Sequence, residues 1–150
     1  MSILSLSSAE SRWRGYTYFK CKKVVRVEAL GEGQFKGVVS GSREKPYTTV
    51  IDLEHVRRSS CNCPHAAGRK IICKHMVAVF FAVFPDEAEN YYAEVLRQEE
   101  AWENEQEALA DRVYRYVRSL KRAEAQELLL EVLNDGPEWL WDRFVRAHIE

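Results

Sequence analysis

Three cysteines and one histidine lie close together in this sequence, with a spacing that suits a metal ion. One residue separates Cys61 from Cys63, and after nine intervening residues Cys73 and His75 follow, again one residue apart. Three thiolates and one imidazole complete the tetrahedral coordination of a structural Zn²⁺ ion, which favours such donors. In an extended segment residues i and i+2 point to the same side, so the first two thiolates can reach one ion. The sequence therefore predicts one structural zinc ion held by these four residues.

Other interpretations of these residues stay open at the level of sequence. The cysteines could be buried free thiols beside a core histidine, or two of them could form a disulfide that leaves an odd thiol. A catalytic zinc ion would need an open fourth coordination position. His65 is the alternative fourth ligand, and Cys21 lies outside the motif, where a small core or strand residue is expected. The metal interpretation is favoured because the polar loop over residues 55–72 has no other visible anchor.

The motif and its surroundings resemble the SWIM zinc finger, whose signature is C-x-C-xₙ-C-x-H. Pro64 follows the second cysteine, Lys74 separates the last two ligands, and an apolar stretch from Met76 to Phe84 comes next, as in that family. The upstream matches are Arg14-Gly15, Tyr18 and Val39-Ser40-Gly41-Ser42. The resemblance spans residues 12–85 and is to the type found in bacterial and archaeal proteins. It implies that the zinc ligands are Cys61, Cys63, Cys73 and His75.

The resemblance also implies a class of function. SWIM fingers occur beside chromatin-remodelling-type helicases, in Mutator-type transposases and in ubiquitin-ligase-like signalling proteins, and they are proposed to bind DNA or protein partners. This sequence shows no Walker-type Gly-Lys-Ser/Thr loop, no RING pattern and no acidic triad typical of a transposase. The expectation is therefore a binding module rather than an enzyme. Its partner would be nucleic acid, DNA before RNA, or alternatively a protein such as a helicase.

The charge of the chain is divided between its two parts. Residues 1–85 contain 14 basic and 6 acidic side chains, a net charge of +8, whereas residues 86–150 contain 8 and 17, a net charge of −9. Basic side chains bind nucleic-acid phosphates irrespective of base sequence. The alternative is a solvated surface, or one docked against the acidic tail. The candidate nucleic-acid contacts are Arg43, Lys45, Arg57, Arg58, Arg69, Lys70 and Lys74.

The elements that must position the motif are predicted from hydrophobic patterns. Three segments rich in β-branched and aromatic residues, 24–30, 35–40 and 47–53, are separated by short turns, which favours a small antiparallel sheet. The Ser-rich residues 1–12 are expected to be loosely attached, with strand signals from Trp13 onward. The cysteine- and histidine-bearing loop follows the third strand.

Helices are predicted for the remainder. Residues 73–84 are apolar on nearly every face, which indicates a buried helix, and Pro85 ends it. Residues 86–150 show helical periodicity and form an acidic tail. The prediction is an α+β fold: a zinc-binding module over residues 1–85, in which the sheet packs against a zinc-tethered helix, followed by a helical region over 86–150.

That helical tail could itself be an interaction surface. Trp139 and Trp141 are two residues apart and cannot share one helix face, so one of them is expected to be exposed or to contact a partner. The protein would then act as an adaptor that docks through its tail, with zinc serving only to stabilise the fold.

The overall composition limits the class of protein and the cellular compartment to be expected. It has 150 residues, of which 46% are hydrophobic and 30% charged, as in ordinary globular proteins. No apolar run approaches the roughly 20 residues of a membrane span, and no basic segment with an apolar core begins the chain. We therefore expect a cytoplasmic protein, in a compartment that keeps thiols reduced, with neither a membrane nor a small molecule as its partner.

Overall fold

The computed structural model describes residues 2–41 and 45–149, which divide into two compact units, one up to Val95 and one from Leu96 onward. Within these residues the helices are α1 Ile3–Leu6, α2 Ala9–Lys20, α3 Lys74–Val83, α4 Pro85–Ser119, α5 Arg122–Asp135 and α6 Glu138–His148. The strands are β1 Val24–Gly31, β2 Gln34–Val39, β3 Tyr47–Asp52 and β4 Ser60–Cys61, and a short 3₁₀ helix covers Val56–Arg58. The predicted α+β fold and the helical C-terminal region are confirmed.

The described residues contain one antiparallel sheet with the strand order β1-β2-β3-β4. The β1–β2 turn contains Gly33 at a φ of 69°, in the left-handed region that glycine adopts without strain. β3 lies in the middle of the sheet and buries Tyr47, Thr49 and Ile51 on one face. β4 was not predicted, because two residues are too few to show a hydrophobic pattern.

The N-terminal region differs from its prediction. Residues expected to be loosely attached, or to begin a strand, form α1 and α2 instead. Ser8 caps α2 by accepting a hydrogen bond from the backbone N–H of Ser11, at 3.1 Å. The guanidinium of Arg12 donates to the carbonyls of Leu4 and Ser7, each at 2.9 Å, which ties α1 to α2. Helix α2 was not predicted because most of its apolar side chains are aromatic. Aromatic residues have a high intrinsic preference for β-strands.

Helix α3 is the centre of the first unit and is buried as predicted. Met76, Val77 and Val79 are fully buried, and Val79 sits over Gly37 of β2, where a side chain would leave no room. The hydrophobic core around it also includes Ile3 of α1 and Tyr16 of α2. The N-terminal helices and the sheet therefore enclose α3. This packing holds the beginning of the helix in place, where the motif residues Cys73 and His75 lie.

Gly15 permits a close approach between α2 and α3. A Cβ atom at this position would lie 2.5 Å from the side chain of Val77 and 2.9 Å from the carbonyl oxygen of Lys74. Such distances are well below van der Waals contact, so any side chain at position 15 would push the two helices apart.

Replacing Gly15 with alanine is therefore expected to lower the free energy of unfolding by about 1–3 kcal/mol, the usual effect of overpacking. This would override the preference of about 1 kcal/mol that favours alanine over glycine in a helix. Urea unfolding of the zinc-loaded protein measures the effect. Gly31→Ala is the control because a Cβ there meets nothing within 4 Å, and Val77→Ala should restore part of the loss. An unchanged Gly15→Ala variant would contradict the close packing.

The second unit, from Leu96 onward, is helical throughout its described part. Among the described residues of this unit, the buried apolar residue is Leu133 of α5. None of the residues of α6 is buried. Both Trp139 and Trp141 are exposed, whereas the sequence predicted exposure for only one of them. None of the helices in the described part of the chain has the length and apolarity that crossing a membrane requires.

Candidate metal centre

The four motif residues converge on one buried point between the sheet and α3. Cys61 ends β4, Cys63 follows two residues later, Cys73 is the residue immediately before α3, and His75 lies in its first turn. All four side chains are buried, and their donor atoms lie within 4.8 Å of one another. Nδ1 of His75 is 3.7 Å from Sγ of Cys61 and 3.9 Å from Sγ of Cys73.

This geometry fits a zinc ion. Zn–S bonds of about 2.3 Å and Zn–N bonds of about 2.0–2.1 Å place tetrahedral donors roughly 3.5–3.8 Å apart, close to the sulfur–nitrogen distances found. The cysteines are free thiols, so no disulfide competes for them. Among the described residues, the buried side-chain nitrogen or oxygen without a hydrogen-bond partner is Nε2 of His75, in this same cluster. Its Nδ1 faces the thiols, as expected for a metal ligand.

The surroundings of Cys73 lower the pKa of its thiol. A hydrogen bond from Cys61 lowers the pKa of Cys73 to about 4, against the effect of burial, and His75 and the backbone N–H groups of His75 and Met76 assist. The same hydrogen bond, together with burial, raises the pKa of Cys61. Cys73 also lies at the N-terminus of a helix, where negative charge is stabilised, so its position favours a thiolate. Cys61 would have to release its proton to coordinate an ion.

Two tyrosines hold the imidazole of His75 in place. The ring of Tyr47 stacks on it with centroids 4.5 Å apart, and the ring of Tyr18 meets it at a steep angle with centroids 5.4 Å apart. Nζ of Lys74 donates to the hydroxyl of Tyr18 at 2.8 Å. Metal-bound histidines are usually oriented by a hydrogen bond from the other ring nitrogen. Here aromatic packing takes that role, which the sequence motif did not indicate.

Removing the ring at position 47 should therefore weaken the metal site. We expect Tyr47→Leu to lower zinc affinity by about 10–100-fold, the range found when the support of a metal ligand is removed. Competition with a chromogenic chelator measures it. Tyr47→Phe keeps the ring and should bind zinc like the wild type. Equal affinities for Tyr47→Leu and the wild type would show that Tyr47 does not position His75.

The alternative donors lie outside this cluster. His65 is exposed, although its sequence position made it the alternative fourth ligand. Cys21 is also exposed, at the C-terminal end of α2, and is neither the core residue nor the strand residue that was expected. The donors brought together are those of the C-x-C-xₙ-C-x-H motif, with no substitution.

The predicted nucleic-acid contacts differ in their surroundings. Arg43 lies outside the described residues, and Lys74 is half-buried, with its ammonium group over the ring of Tyr18, 4.4 Å from the centroid. The exposed members are Lys45, Arg57, Arg58, Arg69 and Lys70. None of these five forms an ion pair with another residue in the described part of the chain.

Comparison with known proteins gives one match. The family model of the SWIM zinc finger matches residues 47–84, which include β3, β4, α3 and all four donors. The match is narrower than the resemblance seen over residues 12–85. No curated protein and no solved structure matches the chain. Motif, geometry and family match agree that residues 47–84 contain a SWIM zinc finger, with Cys61, Cys63, Cys73 and His75 as a candidate zinc site.

Proposed function

We propose that this protein is a nucleic-acid-binding accessory module built around one structural zinc ion. The observation that carries the proposal is the group of five exposed cations in the segments that border the zinc site. Lys45 precedes β3, Arg57 and Arg58 lie in the 3₁₀ helix between β3 and β4, and Arg69 and Lys70 lie between the second and third zinc ligands. Exposed cations without acidic partners are available to neutralise phosphates.

The zinc ion would serve this surface by ordering the loops that carry it. The segment between Cys63 and Cys73 has a candidate ligand at each end, so a bound ion would limit the positions that Arg69 and Lys70 can take. Lys74 would contribute less to binding, because its ammonium group is already engaged by Tyr18. Holding loop cations in fixed positions reduces the entropy lost when they bind phosphates.

We infer a structural role for zinc, not a catalytic one. Three thiolates and one imidazole fill the tetrahedral positions, whereas a catalytic zinc ion retains one for water or substrate. A module of this type would act beside an enzyme, such as a helicase. DNA is proposed ahead of RNA because the SWIM family is proposed to bind DNA, while the cations themselves favour either polymer.

Fluorescence anisotropy of the zinc-loaded chain with single- and double-stranded DNA and RNA tests the proposal. We expect dissociation constants in the micromolar range or below at low salt. If all five cations contact phosphate, the logarithm of the affinity should fall with the logarithm of salt concentration with a slope of about −4.5, or about −0.9 per contact. Absence of binding at low salt would refute the proposal.

A second candidate function, a protein–protein adaptor, is favoured by the second unit. Its helices leave many large apolar side chains exposed, among them Trp102 at 63% and Trp139 at 60%. Exposed apolar surface of this kind is typical of interaction sites. An adaptor would bind its protein partner, for example a helicase, in a manner that resists high salt. Binding would be lost in a Trp102→Ala/Trp139→Ala variant and retained when Arg57 and Arg58 are replaced.

A further inference from the structure

Strand β1 is an edge strand that is exposed along nearly its whole length. It ends the sheet order, and among the described residues β2 is the strand that pairs with it. All of its residues after Val24 are exposed. The apolar side chains are included: Val25 is 67%, Val27 37% and Leu30 49% exposed. An unpaired edge with exposed aliphatic residues is a template for another strand.

The sequence of β1 is complementary to itself when it is reversed. Read outward from Val27, the first neighbours are Arg26 and Glu28, which carry opposite charges. The second neighbours are the aliphatic Val25 and Ala29, and the third neighbours are Val24 and Leu30. In an antiparallel pair of identical strands centred on Val27, Arg26 of each strand would face Glu28 of the other, within the regularly paired residues 26–29.

We propose that β1 pairs antiparallel with β1 of a second copy of this chain, about a two-fold axis that passes between the two Val27 residues. Arg26 of each copy then lies opposite Glu28 of the other, giving a ladder of four alternating charges on one face. Val27 and Ala29 of both copies lie on the other face. The two four-stranded sheets become one continuous sheet, with a closed, self-complementary interface.

Charge selects this register over its neighbours. A two-fold axis perpendicular to the sheet requires a residue on the axis, so the adjacent alternative registers are centred on Arg26 and on Glu28. Centring on Arg26 places two guanidinium groups opposite each other, and centring on Glu28 does the same with two carboxylates. Like charges directly opposite each other are destabilising. Centring on Val27 brings no like charges together in the strand.

The internal geometry of β1 agrees with this arrangement. Register shifts against β2 occur at Val25 and at Leu30, so residues 26–29, which hold the charge ladder, are regularly paired. Arg26 and Glu28 of one chain are 3.5 Å apart with side chains 72% and 51% exposed. Both are therefore on one face and free to reach the second copy. Such an exposed pair contributes little alone and more as part of a network.

The test is the oligomeric state of the full-length, zinc-loaded chain without nucleic acid, measured by sedimentation equilibrium. The wild type should dimerise. Arg26→Glu and Glu28→Arg should each weaken dimerisation about tenfold or more, because both charge pairs become repulsive. An equimolar mixture of the two variants should form a heterodimer, since each pair is then again of opposite charge. Arg69→Glu, an equal change of charge outside β1, should dimerise like the wild type.

Cross-linking checks the position of the axis. In a Cys21→Ala background, Val27→Cys should form a disulfide-linked dimer under mild oxidation, because position 27 faces itself. Val25→Cys lies two residues from the axis and should not. A monomeric wild type, a dimer insensitive to both charge reversals, or failure of the mixture to associate would each overturn the proposal. A dimer held through the helices of the second unit would be insensitive to both charge reversals.

Discussion

Replacing Cys73 with alanine is expected to abolish tight zinc binding and to release the loop between β4 and α3. Cys73 is one of the four buried donors of the cluster, its pKa is lowered by the hydrogen bond from Cys61, and it ends the loop that begins at Cys63. Structural zinc sites contribute about 10–16 kcal/mol of apparent binding free energy. That is as large as the whole free energy of unfolding of a typical domain, about 5–15 kcal/mol. Losing it should remove most of the stability of the first unit.

Three measurements follow that loss: zinc content by mass spectrometry, thermal unfolding, and hydrogen exchange of the loop amides. Chelation of the wild type should reproduce the effect. Cys21→Ala is the matched control, because Cys21 is an exposed free thiol outside the cluster, and it should keep both zinc and stability. A Cys73→Ala protein that still holds one equivalent of zinc and melts like the wild type would show that the ion is not held by this cluster.

Reversing the charge of both arginines in the 3₁₀ helix is expected to lower nucleic-acid affinity about 10–100-fold at low salt. If Arg57 and Arg58 each contact a phosphate, the Arg57→Glu/Arg58→Glu variant should also show a salt dependence less steep by about two contacts. The loss should be similar for different base sequences, because phosphate contacts carry no sequence information. Anisotropy titrations at several salt concentrations give both numbers.

The control for this variant is Arg112→Glu/Arg115→Glu on α4, which changes the net charge of the protein equally but lies in the acidic part of the chain. It should bind nucleic acid nearly as the wild type does. If both double variants lose the same affinity, net charge alone governs binding and the loops around the zinc site are not the contact surface. If neither does, the first proposed function is wrong.

Much of the metal site was predictable because metal chemistry restricts residue types at short range. Few side chains bind zinc, and their spacing around Cys61 and Cys73 is visible in the sequence itself. The same holds for β3 and α3, whose composition leaves little choice: one is a run of β-branched and aromatic residues, the other is apolar on all faces.

The rest depends on contacts between residues far apart in the chain. Tyr47 stacks on His75 across 28 positions, and Gly15 matters because Val77 approaches it; neither pattern exists locally. Helix α2 was mistaken for the beginning of a strand, because tertiary contacts with α3 overrode the preferences of its aromatic residues. Exposure of β1 was likewise invisible, since strand composition does not say which strand is at the edge.

The enclosure of α3 limits how the finger can be moved between proteins. Residues 47–84 include every zinc ligand, yet the side chains that cover α3 include Ile3, Tyr16 and Val39, all upstream of that span. A graft of residues 47–84 into another protein would carry the ligands but leave Val77 and its neighbours in water. The host would have to supply a helix with a glycine at the crossing point and two further strands. The transferable unit is thus the first 95 residues, more than twice the length of the motif.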